Sequence, residues 1–208
     1  MAILEKIKEI KEKSKKRNFL QRYDLIVNLK ELDLKKAENK IDEVFPLPKG
    51  TGKDSLITLF SDGGQKIEGC KLVKSTEIEE LAKNKKDLKK IIENTKFFLA
   101  EPKLMPIVGK YLGKYLAPRG LMPKPLIGDI GRVISDSKNG IRIFVDKQPI
   151  IHTIVGSESM DAKHVEENVR TFLTFLEKRL PEGKNNIKDV YLKLTMGKPV
   201  KIEAWQNG

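Results

Sequence analysis

Few residues of this chain are spaced for catalysis. Gly50-Thr51-Gly52-Lys53 resembles the end of a phosphate-binding loop, in which a glycine-rich backbone cradles phosphates and a lysine neutralises them. The pattern needs a Gly where Leu47 stands and a Ser or Thr where Asp54 stands, and the loop precedes a predicted strand instead of following one. No GxGxxG follows Leu56–Phe60, so the dinucleotide fingerprint is missing as well. His152 falls in a predicted strand and His164 in a predicted helix, and neither has the local spacing of a metal pair. Cys70 is the one cysteine, which excludes an internal disulfide and a CxxC site; it reads as a small core residue. Most carboxylates alternate with lysines along predicted helices and read as solvated faces. The expectation is a protein that is not an enzyme and takes no cofactor and no metal.

The cations carry more. Pro102–Gly128 holds Lys103, Lys110, Lys114, Arg119 and Lys124 and no carboxylate. Lys110 and Lys114 share a helical face, as do Tyr111 and Tyr115. The helix runs into Ala117-Pro118-Arg119-Gly120-Leu121-Met122-Pro123-Lys124-Pro125, where the prolines stiffen the loop and fix the spacing of Arg119 and Lys124. A stiff cationic loop loses little entropy on binding phosphates. The alternative is a tight loop that caps a sheet, its cations merely solvated. A second cluster, Lys11, Lys13, Lys15, Lys16, Arg17 and Arg22, is opposed only by Glu12. Over all 208 residues, Lys plus Arg number 41 against 29 Asp plus Glu, a net charge of +12. That surplus points to a polyanion, with nucleic acid first and an anionic membrane surface second. A Lys-, Glu- and Ile-rich composition suited to heat is the plainer explanation.

The elements that must position these groups follow from periodicity. Ile3, Leu4, Ile7 and Ile10 predict an N-terminal helix. Tyr23–Leu29 and Ile41–Leu47 predict strands, and Pro46, Pro48, Gly50 and Gly52 a hinge after them. The pattern then changes. Leu56–Phe60, Cys70–Val73 and Lys96–Ala100 predict short buried strands. Between them lie a helix opened by a Thr76/Glu79 capping box and a helical stretch Asp87–Asn94, and a further helix follows with Pro102 at its first position. Such alternation predicts a parallel sheet with helical crossovers. Near Ser137 the pattern changes back. Ile141–Val145 and Ile150–Val155 predict an antiparallel hairpin, Asp161 caps a helix with an apolar stripe from Val165 to Leu176, and Ile187–Leu194 and Val200–Ile202 are the last strands. The economical account is an α/β domain inserted into an α+β domain. With no secretory segment and no run of roughly 18 apolar residues, a cytoplasmic protein is expected.

Three stretches resemble a known family, the ribosomal large-subunit protein L-one family, in its archaeal-type branch. They are Ala117–Pro125, Thr195-Met196-Gly197, and Lys16-Arg17-Asn18-Phe19 followed by Asp24-Leu25. Order and spacing are preserved over nearly the whole chain. Two positions depart: many members have Gly at Ala117, and Lys198 intervenes before Pro199. The resemblance implies a split-sheet domain of residues 1–52 with 138–208, interrupted by a Rossmann-like domain of residues 53–137. It implies an rRNA-binding patch of Phe19, Thr195, Met196 and Gly197, with Lys16, Arg17, Asn18, Gln21 and Lys193 beside it. Lys110, Lys114, Arg119 and Lys124 fall to a second contact surface. Gly197 would allow positive φ or close backbone approach, the Thr195 hydroxyl would donate to phosphate or 2′-OH, and Phe19 would pack on a ribose or base. For Phe19 and Met196 the alternative is ordinary core. The implied protein is a ribosomal constituent, monomeric when free, whose partners are large-subunit rRNA, deacylated tRNA in the exit site, and its own mRNA as a repression target. The alternatives from the residues alone are a nucleotide-dependent enzyme on the α/β domain and a basic scaffold for proteins.

Overall fold

The computed structural model describes residues 3–52, 56–63, 69–128 and 130–202. Along these run α1 (Ile3–Lys13), β1 (Arg22–Leu29), β2 (Ile41–Pro46), β3 (Leu56–Phe60), β4 (Cys70–Val73), α2 (Ser75–Lys83), α3 (Lys85–Asn94) and β5 (Thr95–Ala100). Then follow α4 (Met105–Leu116), β6 (Lys124–Pro125), α5 (Ile130–Asn139), β7 (Gly140–Val145), β8 (Ile150–Ser157), α6 (Ala162–Arg179), β9 (Ile187–Leu194) and β10 (Val200–Lys201). The chain is thus a mixed α/β protein. It divides into two compact units, Met1–Lys53 with Asn139–Gly208, and Asp54–Lys138.

In the first unit β1 alternates strictly, burying Tyr23, Leu25, Val27 and Leu29 on one face. Period-two burial is what a sheet with one covered face demands. The sheet order is β10-β9-β1-β8, and β1 pairs antiparallel with both β8 and β9. The covering layer is α1, through Ile3, Ile7 and Ile10, and α6, through Val165, Val169, Phe172, Leu173 and Leu176. Asp161 caps α6, its carboxylate accepting from Lys163 N at 3.2 Å. The β2–β7 ribbon closes the same core, with Phe45 edge-on to Phe172 at 5.9 Å between ring centres. In the second unit all neighbours in the order β4-β3-β5-β6 are parallel. Unbroken apolar runs fit strands covered on both faces.

Several expectations fail. Ile141–Val145 and Ile150–Val155 do not pair as a hairpin: β7 pairs with β2, and β8 with β1. The turn between them carries the chain from one sheet to another, and local alternation says nothing about which strand is the partner. Pro102 is not at a first helical position; α4 begins at Met105 and Pro106 occupies its first turn. The Thr76/Glu79 box does not form because α2 starts earlier. The Ser75 amide donates to Asp62, Glu77 accepts from Lys74 N, and Glu79 accepts from the Tyr111 hydroxyl. Helix α5 was not expected, although Ile130, Val133, Ile134 and Ser137 have helical spacing.

The expected hinge at Pro46, Pro48, Gly50 and Gly52 is instead packed. Leu47 and Thr51 are buried, and the fully buried Asn168 fastens the segment. Its amide donates to Gly50 O at 2.9 Å and Val155 O at 2.8 Å, and its oxygen accepts from Lys49 N at 3.0 Å. Gly50 and Gly52 are there because their φ values are +62° and +72°, not for mobility. A Cβ on Gly52 would sit 2.7 Å from Met160 Sδ. Lys53 lies outside the described residues.

Candidate nucleic-acid interface

Helix α1 ends at Lys13, and residues 14–21 form the loop into β1. Of these, Lys15, Lys16, Arg17, Asn18, Phe19 and Leu20 are exposed. Phe19 is 51% exposed, far from the core alternative, and Met196 is 64% exposed. Neither side chain contributes to the core, and both lie open to water near cations of the same loop and turn. Met196 arrives from the turn after β9. Because β1 pairs with β9, Tyr23 faces Leu194, and the next residues, Arg22 and Thr195, continue the pairing. Thr195 N donates to Arg22 O at 3.0 Å. The loop and the turn are therefore neighbours although 173 residues separate Arg22 from Thr195.

The turn is tight. Gly197 N donates to Leu194 O at 2.7 Å. Gly197 is not among the residues with positive φ, so the first of its two expected roles falls away. The turn itself gives a reason for glycine: an added Cβ would lie 3.1 Å from Ser14 Oγ and 3.3 Å from Leu194 O, so a side chain there would press on its own neighbours. The Thr195 hydroxyl, expected to donate to RNA, is exposed and has protein partners as well. It lies 3.3 Å from both Arg22 N and Arg22 O, accepting from one or donating to the other, and so fastens the turn to β1. Lys193 Nζ donates to Thr195 O at 3.0 Å, which puts its charge at the same turn. A cleft of about 310 Å³ opens here, lined among others by Ile10, Ser14, Lys15, Arg17, Met196 and Lys198.

Gln21, expected beside the contact residues, is buried at 2% exposure, with its amide turned inward. Asp24 entered the sequence reading only as part of the family motif, with no role at the site. It faces Lys193 across the β1–β9 pair and lines a second cleft of about 310 Å³ with Ile26, His152, Thr153, Ile154 and Lys193. Burial raises the Asp24 carboxyl above its ordinary range; Lys193, Arg22, His152 and a hydrogen bond from Thr195 oppose that rise without cancelling it. The polar residues on the outward face of β1 (Arg22, Asp24, Asn28) were the signal available.

In the second unit Lys110 and Lys114 are exposed on α4, their ammonium groups over the rings of Tyr111 and Tyr115 at 5.4 and 5.0 Å. Arg119 is exposed at the end of a 3₁₀ turn, Ala117–Arg119, which Gly120 closes with φ of +65°. Lys124 sits in β6 beside Leu99. The structure brings the first-unit residues together, whereas these four spread over a helix, a turn and an edge strand. Among the described residues no group of His, Cys, Asp and Glu could hold a metal ion, and no helix is long and apolar enough to cross a membrane.

The loop and the turn offer cations and exposed apolar groups side by side. Residues 10–198 match the model of the ribosomal protein L1p/L10e family. The chain belongs to that family, whose members are structural ribosomal proteins and not enzymes. It is 39% identical to the large ribosomal subunit protein uL1 of Methanothermobacter thermautotrophicus, over 96% of this chain and 98% of that one. The proteins of the same name from Pyrococcus abyssi and Methanocaldococcus jannaschii are each 38% identical, over 97% of this chain and 95% of theirs.

Proposed function

We propose that this protein is a structural constituent of the large ribosomal subunit that works in the cytoplasm and binds large-subunit rRNA at the mobile lateral stalk. On that reading it assists release of deacylated tRNA from the exit site. It also represses its own mRNA by binding an rRNA-like element there, and it is monomeric when free. The observation that carries the RNA reading is the cleft that Lys15, Arg17 and Met196 line together, with Lys16 and the exposed Phe19 on the same loop and the Lys193 ammonium on the Thr195 carbonyl. The first unit is the RNA-binding domain, with Phe19, Met196 and the Gly197 backbone as contacts, Lys16, Arg17 and Asn18 on phosphate and sugar, and Thr195 and Lys193 shaping the turn. The second unit is a Rossmann-like insertion, a reading that its parallel order β4-β3-β5-β6 supports. Lys110, Lys114, Arg119 and Lys124 give it a weaker RNA surface.

The test is a titration of a folded transcript of the stalk region of archaeal large-subunit rRNA at several salt concentrations. Each phosphate contact contributes about −0.7 to −0.9 to the slope of log affinity against log salt. With about four or more such contacts the slope should be steeper than about −3. A flat response removes the phosphate contacts from the proposal.

A further inference from the structure

Gln21 stands apart from its neighbours. From Lys15 to Leu20 the loop is open to water, yet Gln21 is 2% exposed. Its side chain joins two backbones that the fold brings from opposite ends of the chain. Oε1 accepts from Met196 N at 3.3 Å, and Nε2 donates to Lys15 O at 3.5 Å. Its own backbone is fixed as well: Gln21 N donates to the Glu158 carboxylate at 3.3 Å, and Glu158 N donates to Gln21 O at 2.9 Å. One buried amide on a pinned strand end thus ties the Phe19 loop to the Met196 turn.

We infer that Gln21 is a positioning residue for RNA recognition, holding both contact loops in the geometry the RNA meets while touching no RNA itself. The inference rests on reading that surface as the RNA site. Neither segment is held by regular structure near its tip. The Phe19 loop is irregular from residue 14 to residue 21, and the turn makes one internal backbone bond, Gly197 N to Leu194 O. Two loops ordered before binding spare the complex the entropy of ordering them. A glutamine suits the task because it offers one acceptor and one donor at the same reach, which the Met196 amide and the Lys15 carbonyl require.

The experiment compares the full chain with Gln21→Met, which keeps length and burial but makes no hydrogen bond. Amide exchange at Met196 is read in the free protein, and affinity for the same stalk rRNA transcript is read across a salt series. In the variant we expect Met196 to exchange at least tenfold faster and affinity to fall about tenfold. The salt slope should not change, since every cation remains. A fall in affinity with Met196 exchange unchanged means that Gln21 touches RNA directly, and overturns the inference. Faster exchange with unchanged affinity makes Gln21 only a fold element, and overturns it too. If the unsubstituted chain does not bind the transcript, the RNA reading fails first and takes this inference with it. Should Gln21→Met not fold, Gln21→Leu carries the test, because it too is apolar and makes no hydrogen bond to Met196 N or Lys15 O; the same two readouts and the same outcomes apply.

Discussion

At the scale of single residues, exposure separates contact from support. Phe19 and Met196 pack against little, so their loss should leave the fold alone. Phe19→Ala is expected to weaken RNA binding by about 1–3 kcal/mol, the range for an aromatic ring stacked on a base, and Met196→Ala to weaken it by less. Melting temperature should move little; a drop of many degrees would return either residue to the core. Asp24 supports a second prediction. Because burial raises its carboxyl above the ordinary value of 3.8, the folded protein binds a proton there more tightly than the unfolded chain. Its contribution therefore favours folding at low pH and is lost as pH rises through the folded-state value. Asp24→Asn removes that loss, so the variant should gain in melting temperature over the unsubstituted protein as pH rises above the ordinary aspartate range. A difference that stays constant with pH would show that Asp24 is not held above its ordinary range. The sequence could point to Phe19 and Met196 through family likeness, but not to the inward turn of Gln21. Whether a glutamine in a charged loop faces water or backbone depends on a turn 175 residues away.

At the scale of elements, legibility followed the apolar pattern, unbroken in β3 and alternating in β9. Leu56–Phe60, Cys70–Val73 and Ile187–Leu194 have the bounds their apolar pattern requires. What failed was pairing and punctuation. The hairpin expectation assumed that adjacent strands pair, whereas β2 and β1 claimed the two strands instead. The hinge expectation rested on Pro and Gly as punctuation, and in the structure Asn168 holds that segment by three hydrogen bonds. A mid-helix Asn has no local signature of such a role, since its partners lie outside its helix. Asn168→Ala orphans two carbonyls and one amide in a dry site, so a loss of roughly 2–4 kcal/mol is expected. Chemical denaturation checks it. A loss under about 0.5 kcal/mol would mean that water replaces the amide there.

At the scale of the whole molecule, the two units predict a division of labour. A chain in which residues 1–52 are joined to 139–208 through a short linker should keep its circular dichroism and most of its specific affinity for the stalk transcript. The missing Lys110, Lys114, Arg119 and Lys124 should show as a shallower salt slope, by about 0.7–0.9 for each phosphate that is no longer neutralised. If the shortened chain folds but prefers the transcript to random RNA no more than about twofold, the patch is not the specific site.

The strand order of the first unit also sets a timetable. β1 lies between β8 and β9, so the strand that leaves the ribosome early cannot find either partner until more than a hundred further residues have been made. The second unit is continuous in sequence and can fold during that wait. The proposed RNA surface has no such option. Its loop precedes β1 and its turn follows β9, so a nascent chain carries only half of that surface until β9 has been made. On that reading recognition is withheld from chains that have not reached β9, and a product that has lost β9 would keep the cations of the loop without the means to use them selectively.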